Sequence, residues 1–214
     1  PKSLMVLMSS DLFFERDEHT YYSPTFQSVV EEVIDFLEET PAYSLPLSDR
    51  FSGPGVYVLY YRGDFEPYGP ISHGENERLS QPIYVGKAVP KGRRQGRSRS
   101  SDSAELYKRI SEHRRSIDKV ENLDPKDFLC RFVILEQEMS DTIVTVESAL
   151  VRKHKPLWNS GIDGFGNHDP GSGRYDQKPS QWDTLHPGRS WVEKLKGESR
   201  DRSEVIEQVQ DHIS

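Results

Sequence analysis

The chain has 214 residues, 34% of them hydrophobic and 29% charged, with a net charge of −7 and one cysteine. That length buries a core as one domain with embellishments, and the polar balance predicts substantial loops. No apolar run approaches the ~20 residues of a membrane span, and L-M-V-L-M near the start is too short for a targeting segment and lacks a small-residue cleavage site after it. The lone Cys130 excludes an intrachain disulfide or a cysteine zinc site, so a cytoplasmic setting is expected.

The charge is unevenly spread. Residues 1–50 hold three basic and ten acidic side chains, whereas residues 86–117 hold ten basic and three acidic. A locally basic surface binds phosphates even when the total is negative.

Residues 1–22 show no period. Ser23-Pro24 is a helix start, with an N-cap and Pro at the first helical position. Phe26, Val29, Val30, Val33, Phe36 and Leu37 then recur at helical spacing up to Pro41, with Glu31, Glu32, Glu38 and Glu39 on the outer face. A Pro/Ser loop leads to G-V-Y-V-L-Y-Y, which begins at Gly55, and Q-P-I-Y-V-G, which ends at Gly86. Both are rich in Val, Ile and Tyr and read as paired antiparallel strands. The segment 62–80 between them is dense in Gly, Pro, Asn and Ser and reads as loop.

A basic stretch, 87–101, follows, with Lys87, Lys91, Arg93, Arg94, Arg97 and Arg99. It is a candidate arm for DNA phosphates. Ser103 opens a helix whose apolar stripe is Leu106, Ile110 and Ile117, with Arg109 and His113 sharing one side of it. Phe128 to Glu136 is a third strand. Asp141 is the expected cap of a helix over Thr142 to Lys153, and Glu147 falls in that helix's apolar arc. A carboxylate there needs a metal or an ion-pair partner, such as Arg109. Pro156 ends the helix, and Leu157-Trp158-Asn159 follows. Residues 160–190 are rich in Gly, Pro, Asp and His, too long for an idle connection and therefore a binding-loop candidate. Ser190 to Leu195 and Ser203 to His212 read as short helices.

The order is thus Gly-Val-Tyr on one strand and Tyr-Val-Gly on the next, then Arg109 with His113 on a helix, a third strand, Glu147 on a helix, and Asn159. This constellation, roughly Gly55 to Asn159, resembles the GIY-YIG nuclease family. The histidine four residues after the arginine is similar to the restriction-enzyme branch. The length and flanks resemble those of type II restriction endonucleases cutting the palindrome CCGCGG. Val replaces Ile in both triplets, and the tyrosines stand 27 positions apart, so residues 62–80 are an insertion.

The resemblance implies an α+β fold with a small three-stranded antiparallel sheet flanked by helices. An N-terminal arm and helix (1–50) would precede a catalytic core (51–160), and a loop-rich C-terminal part (161–214) would belong to the same globule. It implies phosphodiester hydrolysis in double-stranded DNA by a homodimer, with a cognate methyltransferase in the same system. A structure-specific or homing nuclease, or a non-catalytic nucleic-acid-binding protein, are the alternative readings. The implied site is Tyr57, Tyr84, Arg109, His113, Glu147 and Asn159. Glu147 would hold one Mg²⁺ per active site, since that ion needs only one or two carboxylates when water and phosphate complete its shell. Tyr57 would be the general base, activated by Arg109, Lys87 and the metal, with His113 as the other proton acceptor. Base reading would fall to Arg174, Gln177, Gln181, His186 and Arg189 of the long loop, or to the basic arm, because Arg to guanine suits a GC-rich site.

Overall fold

A computed structural model of the chain describes residues 14–74, 78–89 and 103–214. Its centre is a mixed-length antiparallel sheet in the order β1-β4-β2-β3, formed by Tyr43–Ser44 (β1), Gly55–Tyr61 (β2), Tyr84–Ala88 (β3) and Phe128–Ile134 (β4). Among the described residues five α-helices accompany it: Pro24–Glu39 (α1), Glu105–Asp118 (α2), Ile143–His154 (α3), Gln181–Leu185 (α4) and Arg202–Ile213 (α5). The sheet has four strands rather than the expected three. The extra one, β1, is two exposed residues pairing Tyr43 with Cys130 and Ser44 with Leu129, too short to leave a period in the sequence.

β2 is buried along its whole length because helices cover both faces of the sheet. Tyr57, Leu59 and Tyr61 join one cluster, with Leu106, Ile110 and Ile117 of α2 and Trp158, Phe165, Trp182, Val205 and Val209 from the C-terminal part. Val56, Val58 and Tyr60 join the opposite cluster, with α1 and α3. The alternation of a strand thus feeds two cores, and a continuous apolar run is what such a strand requires.

On α1, Ser23 Oγ accepts a hydrogen bond from the Phe26 amide, as the cap motif predicts. The buried stripe is Val30, Val33, Ile34 and Leu37, while Phe26 and Phe36 are 47% and 61% exposed. Phe26 shares the face but falls one turn before the contact begins, and Phe36 lies roughly 100° round the helix. Glu38 is not a solvated outer charge. It takes bonds from Lys153 Nζ and His154 Nε2 of α3, and these two outweigh burial and lower its carboxyl pKa. The α3 cap also differs: a 3₁₀ segment, Gln137–Thr142, runs directly into the helix, so Thr142 rather than Asp141 takes the N-cap position.

Within the inserted segment, residues 62–74 turn inward. Its 3₁₀ helix Glu66–Ile71 buries Tyr68, whose hydroxyl accepts from Trp158 Nε1 at 3.0 Å and donates to His186 Nε2 at 2.6 Å. The His186 Nδ1–H then meets Asn122 Oδ1 at 2.9 Å. The long stretch after Asn159 is equally folded. Ile162, Phe165, Trp182 and Leu185 are buried in it, and α5 closes the layer with Val205 and Val209. No helix among the described residues is long and apolar enough to cross a membrane.

Three of the expected base readers therefore lie inside the molecule. Gln181 is bonded to the Asp163 amide and to Gln208, His186 is locked as above, and Arg189 is ion-paired with Asp183. The apolar residues between them pull the segment into the core and take these polar groups along. Arg174 and Gln177 remain exposed. Arg93, Arg94, Arg97 and Arg99 lie outside the described residues.

Candidate active site

The register of β2 against β3 sets Tyr57 directly opposite Gly86 and Tyr84 opposite Leu59, so both tyrosines share one face. Their ring centroids are 6.1 Å apart. A Cβ on Gly86 would lie 2.3 Å from Tyr57 Oη. The phenol therefore lies across the glycine, and the last residue of the second triplet is there to let it. Gly86→Ala should leave the far-UV circular dichroism unchanged and slow DNA cleavage about a hundredfold, because the buried ring must shift to admit the methyl group. Cleavage at the wild-type rate would show that the hydroxyl's position is immaterial.

Helix α2 packs over this face through Leu106 and Ile110. It places the His113 ring 5.8 Å from Tyr57 and 5.0 Å from Tyr84. Phe165 stacks on the other side of His113 at 4.6 Å. Tyr57 Oη and His113 Nε2 are both buried and neither meets a partner with full hydrogen-bond geometry among the described residues, although the Tyr57 and Tyr84 phenols are close enough to influence each other's protons. Two orphaned polar atoms on one face are costly to a fold and so need a reason beyond packing.

The electrostatics divide the two. Burial, then the Tyr84 phenol, pushes Tyr57 well above the usual tyrosine range, and the nearby Arg109 guanidinium opposes this without reversing it. Burial, then Arg109, pulls His113 down to about 3. The expected activation of Tyr57 by Arg109 is present in sign, but desolvation exceeds it. At neutral pH the phenol keeps its proton and His113 is the neutral acceptor.

Acid should expose this. His186 is also held down to about 3, by burial and then Arg202 and Arg189. A histidine neutral in the fold takes up a proton in the unfolded chain below about pH 6.5. The unfolded state then binds more protons, so stability falls with pH from there towards 3, at about 1.4 kcal/mol per pH unit for each histidine. Tm is expected to drop steadily from pH 7 to pH 4. His186→Phe should melt lower at pH 7 but with a shallower slope, and an unchanged slope would remove His186 as a cause.

Arg109 donates through Nη1 to Glu112 Oε2 at 3.0 Å and to His168 Nε2 at 3.2 Å. Glu147 does not meet Arg109. Its partner is Lys87, at 2.5 Å, which stands opposite Val56 on the other face of the sheet. Because β3 is an edge strand, the two faces meet around it, and the Glu147 carboxylate is close enough to help raise the Tyr84 phenol. Glu147 is half-buried at the rim rather than inside the apolar arc of Ile143, Val146 and Leu150.

Asn159 touches the site through the backbone. Its Oδ1 accepts from the Val85 amide at 2.8 Å and its Nδ2 donates to the Val85 carbonyl at 2.9 Å. It thereby takes up the free hydrogen-bonding edge of β3 next to Tyr84. Among the described residues, no group of three or more His, Cys, Asp or Glu side chains is gathered to hold a metal. Among the described residues the carboxylate at the edge of β3 is Glu147, and one such donor suits an ion that keeps most of its water.

Phe165, Gly166 and His168 also belong to the site, and sequence reading missed them. The position of a Cβ on Gly166 is 3.7 Å from Arg109 Nη2 and Tyr84 Oη and 3.9 Å from His113 Cε1. The aperiodic segment carried no signal that would single these residues out. Beside them Asn167, His168, Arg174, Gln177, Lys178 and Trp191 line a cleft of about 340 Å³.

The tyrosine pair on adjacent strands, the Arg–His helix across it and the carboxylate at the sheet edge are the features on which the sequence resembles the GIY-YIG nucleases. The chain belongs to the Eco29kI family of these proteins, because the family model described as the Eco29kI GIY-YIG domain matches residues 49–213. That makes it a nuclease of the restriction type. The match begins before β2 and runs through α5, so it covers the C-terminal layer as well as the tyrosine strands. No curated protein matches the chain.

Proposed function

We propose that the chain is a type II restriction endonuclease that hydrolyses both strands of a GC-rich palindrome, CCGCGG, as a homodimer with one Mg²⁺ per active site. The observation that supports this best is the pair of orphaned atoms, Tyr57 Oη and His113 Nε2, facing the Arg109 side of the site. In this reading Tyr84 and Tyr57 orient the attacking water. Tyr57 relays the water's proton: its own O–H proton moves to His113 Nε2 as the water's proton moves to Tyr57 Oη, once the negative charge of the bound phosphate has offset the burial and the Arg109 charge that hold His113's basicity down. Proton transfer by a positioned group contributes typically 10²–10⁴-fold. Arg109 clamps the scissile phosphate with its planar fork. Asn159 keeps β3, and so Tyr84, in register. Glu147 would hold the Mg²⁺, which would supply positive charge to the phosphate and the leaving 3′ oxygen. Lys87, now bonded to Glu147, would then be free to face the DNA.

A two-fold dimer would bring one site to each strand of a palindrome. Arg174 and Gln177, with the basic arm at Arg93, Arg94, Arg97 and Arg99, carry base and phosphate contacts. A methyltransferase of the same specificity would protect the host's sites without touching the nuclease.

The test is digestion of a sequenced plasmid by the pure chain with MgCl₂. Discrete fragments ending at CCGCGG, lost on adding EDTA, are expected. Smearing or branch-dependent nicking would indicate a structure-specific nuclease, and a mobility shift without cutting would indicate a binding protein.

A further inference from the structure

The segment from Asp163 to His168 crosses the open side of the site, and it is held from behind. Arg189, almost wholly buried, is ion-paired with Asp183 and lies between the rings of Trp182 and Trp191, 4.5 and 4.9 Å from their centroids. From there its Nη2 donates to the Gly164 carbonyl at 3.0 Å. Its Nη1 donates to the carbonyls of Phe165 at 3.3 Å and Asn167 at 3.1 Å. Gly164 sits at φ +110°, with Ser180 Oγ filling the place a side chain would take. Phe165 is wedged between His113 and Trp158. The segment is a strap with its backbone fixed at three carbonyls, and its free end delivers His168 to Arg109.

We infer that His168 is a positioning residue of the active site, holding Arg109 Nη1 so that the Nη2 side of the guanidinium is aimed at the scissile phosphate. The inference rests on the nuclease reading above. A guanidinium only donates, so His168 Nε2 accepts and its ring proton is on Nδ1. Glu112, one turn along α2 and partly exposed, is a weak anchor by itself. A second carboxylate would strengthen the anchor but neutralise the charge the phosphate needs. A neutral imidazole fixes the fork and leaves that charge intact. Nη2 lies on the Tyr84 side, where the Gly166 backbone leaves room. His168 itself is exposed, so its side chain can be changed with little effect on the fold.

The experiment compares the full wild-type chain with His168→Ala and His168→Gln. It measures single-turnover cleavage of supercoiled plasmid carrying CCGCGG with Mg²⁺, and binding of the same DNA without divalent metal. His168→Ala is expected to cut about tenfold to a hundredfold more slowly, the scale of a misplaced reacting group. Its Kd and Tm should stay close to wild type. His168→Gln, whose Oε1 also accepts from Arg109, should recover most of the rate. His168→Ala cutting at the wild-type rate overturns the inference, as does a Gln variant no better than Ala or a Kd that worsens as much as the rate. A wild-type chain that leaves the plasmid uncut overturns the nuclease reading, and this inference with it.

Discussion

Glu147→Ala is expected to abolish cleavage, by about a thousandfold or more, while DNA binding stays within about threefold of wild type or becomes tighter. The large loss follows because Glu147 is the lone carboxylate at the edge of β3 and the described residues offer no substitute cluster. The sign of the binding effect follows from its neighbour. Lys87 is about one-third exposed, so losing its partner leaves a partly solvated cation rather than a stranded one. Fold stability should therefore change little, since the ammonium left behind keeps contact with solvent. The freed ammonium and the lost carboxylate both make the site more attractive to phosphate. Single-turnover cleavage and a mobility shift on the same preparation measure the two halves. Turnover near wild type would remove Glu147 as the metal anchor.

Tyr57→Phe should move activity and stability in opposite directions. Only the hydroxyl is lost, and that hydroxyl is buried without a partner. Removing an unsatisfied buried polar atom relieves a desolvation cost of about 1–3 kcal/mol, so Tm should hold or rise. Cleavage should fall by about 10²–10⁴-fold, the range for a lost proton-transfer group. A His113→Ala variant, by contrast, should lose activity and stability together, because it also opens a cavity between Phe165 and the two tyrosines. If Tyr57→Phe cuts at the wild-type rate, His113 alone takes the proton from water. A clear fall in its Tm would mean that the hydroxyl has a partner in solution.

What the sequence made legible is the part governed by short periods. The β2–β3 pairing, the α2 stripe of Leu106, Ile110 and Ile117, and the Ser23-Pro24 helix start all follow from spacing that a strand or helix imposes locally. The family itself was legible because its residues are ordered along the chain. What was not legible depends on contacts between distant segments. Glu147 pairs with Lys87 across the sheet edge, which no helical period announces. Arg189, His186 and Gln181 look like surface readers in a polar loop until Trp182, Phe165 and Leu185 are seen to drag that loop inside. His168 reaches Arg109 from 59 positions away and stands in a segment with no period. The strand position of Tyr57 follows from composition, but the dominance of burial over Arg109 in its titration depends on the packed core.

The Arg189 strap has a consequence for timing. The tyrosine strands, α2 and α3 precede residue 155, yet the segment carrying Phe165 and His168 is fastened by Gln181, Trp182 and Arg189, all made later. During synthesis, at about 5–20 residues per second, a growing chain displays both tyrosines and the Arg–His helix well before that fastening exists. The strap is therefore pinned only after the strands and helices it crosses have been made. A polypeptide that stops short of position 189 lacks the three backbone bonds that hold it.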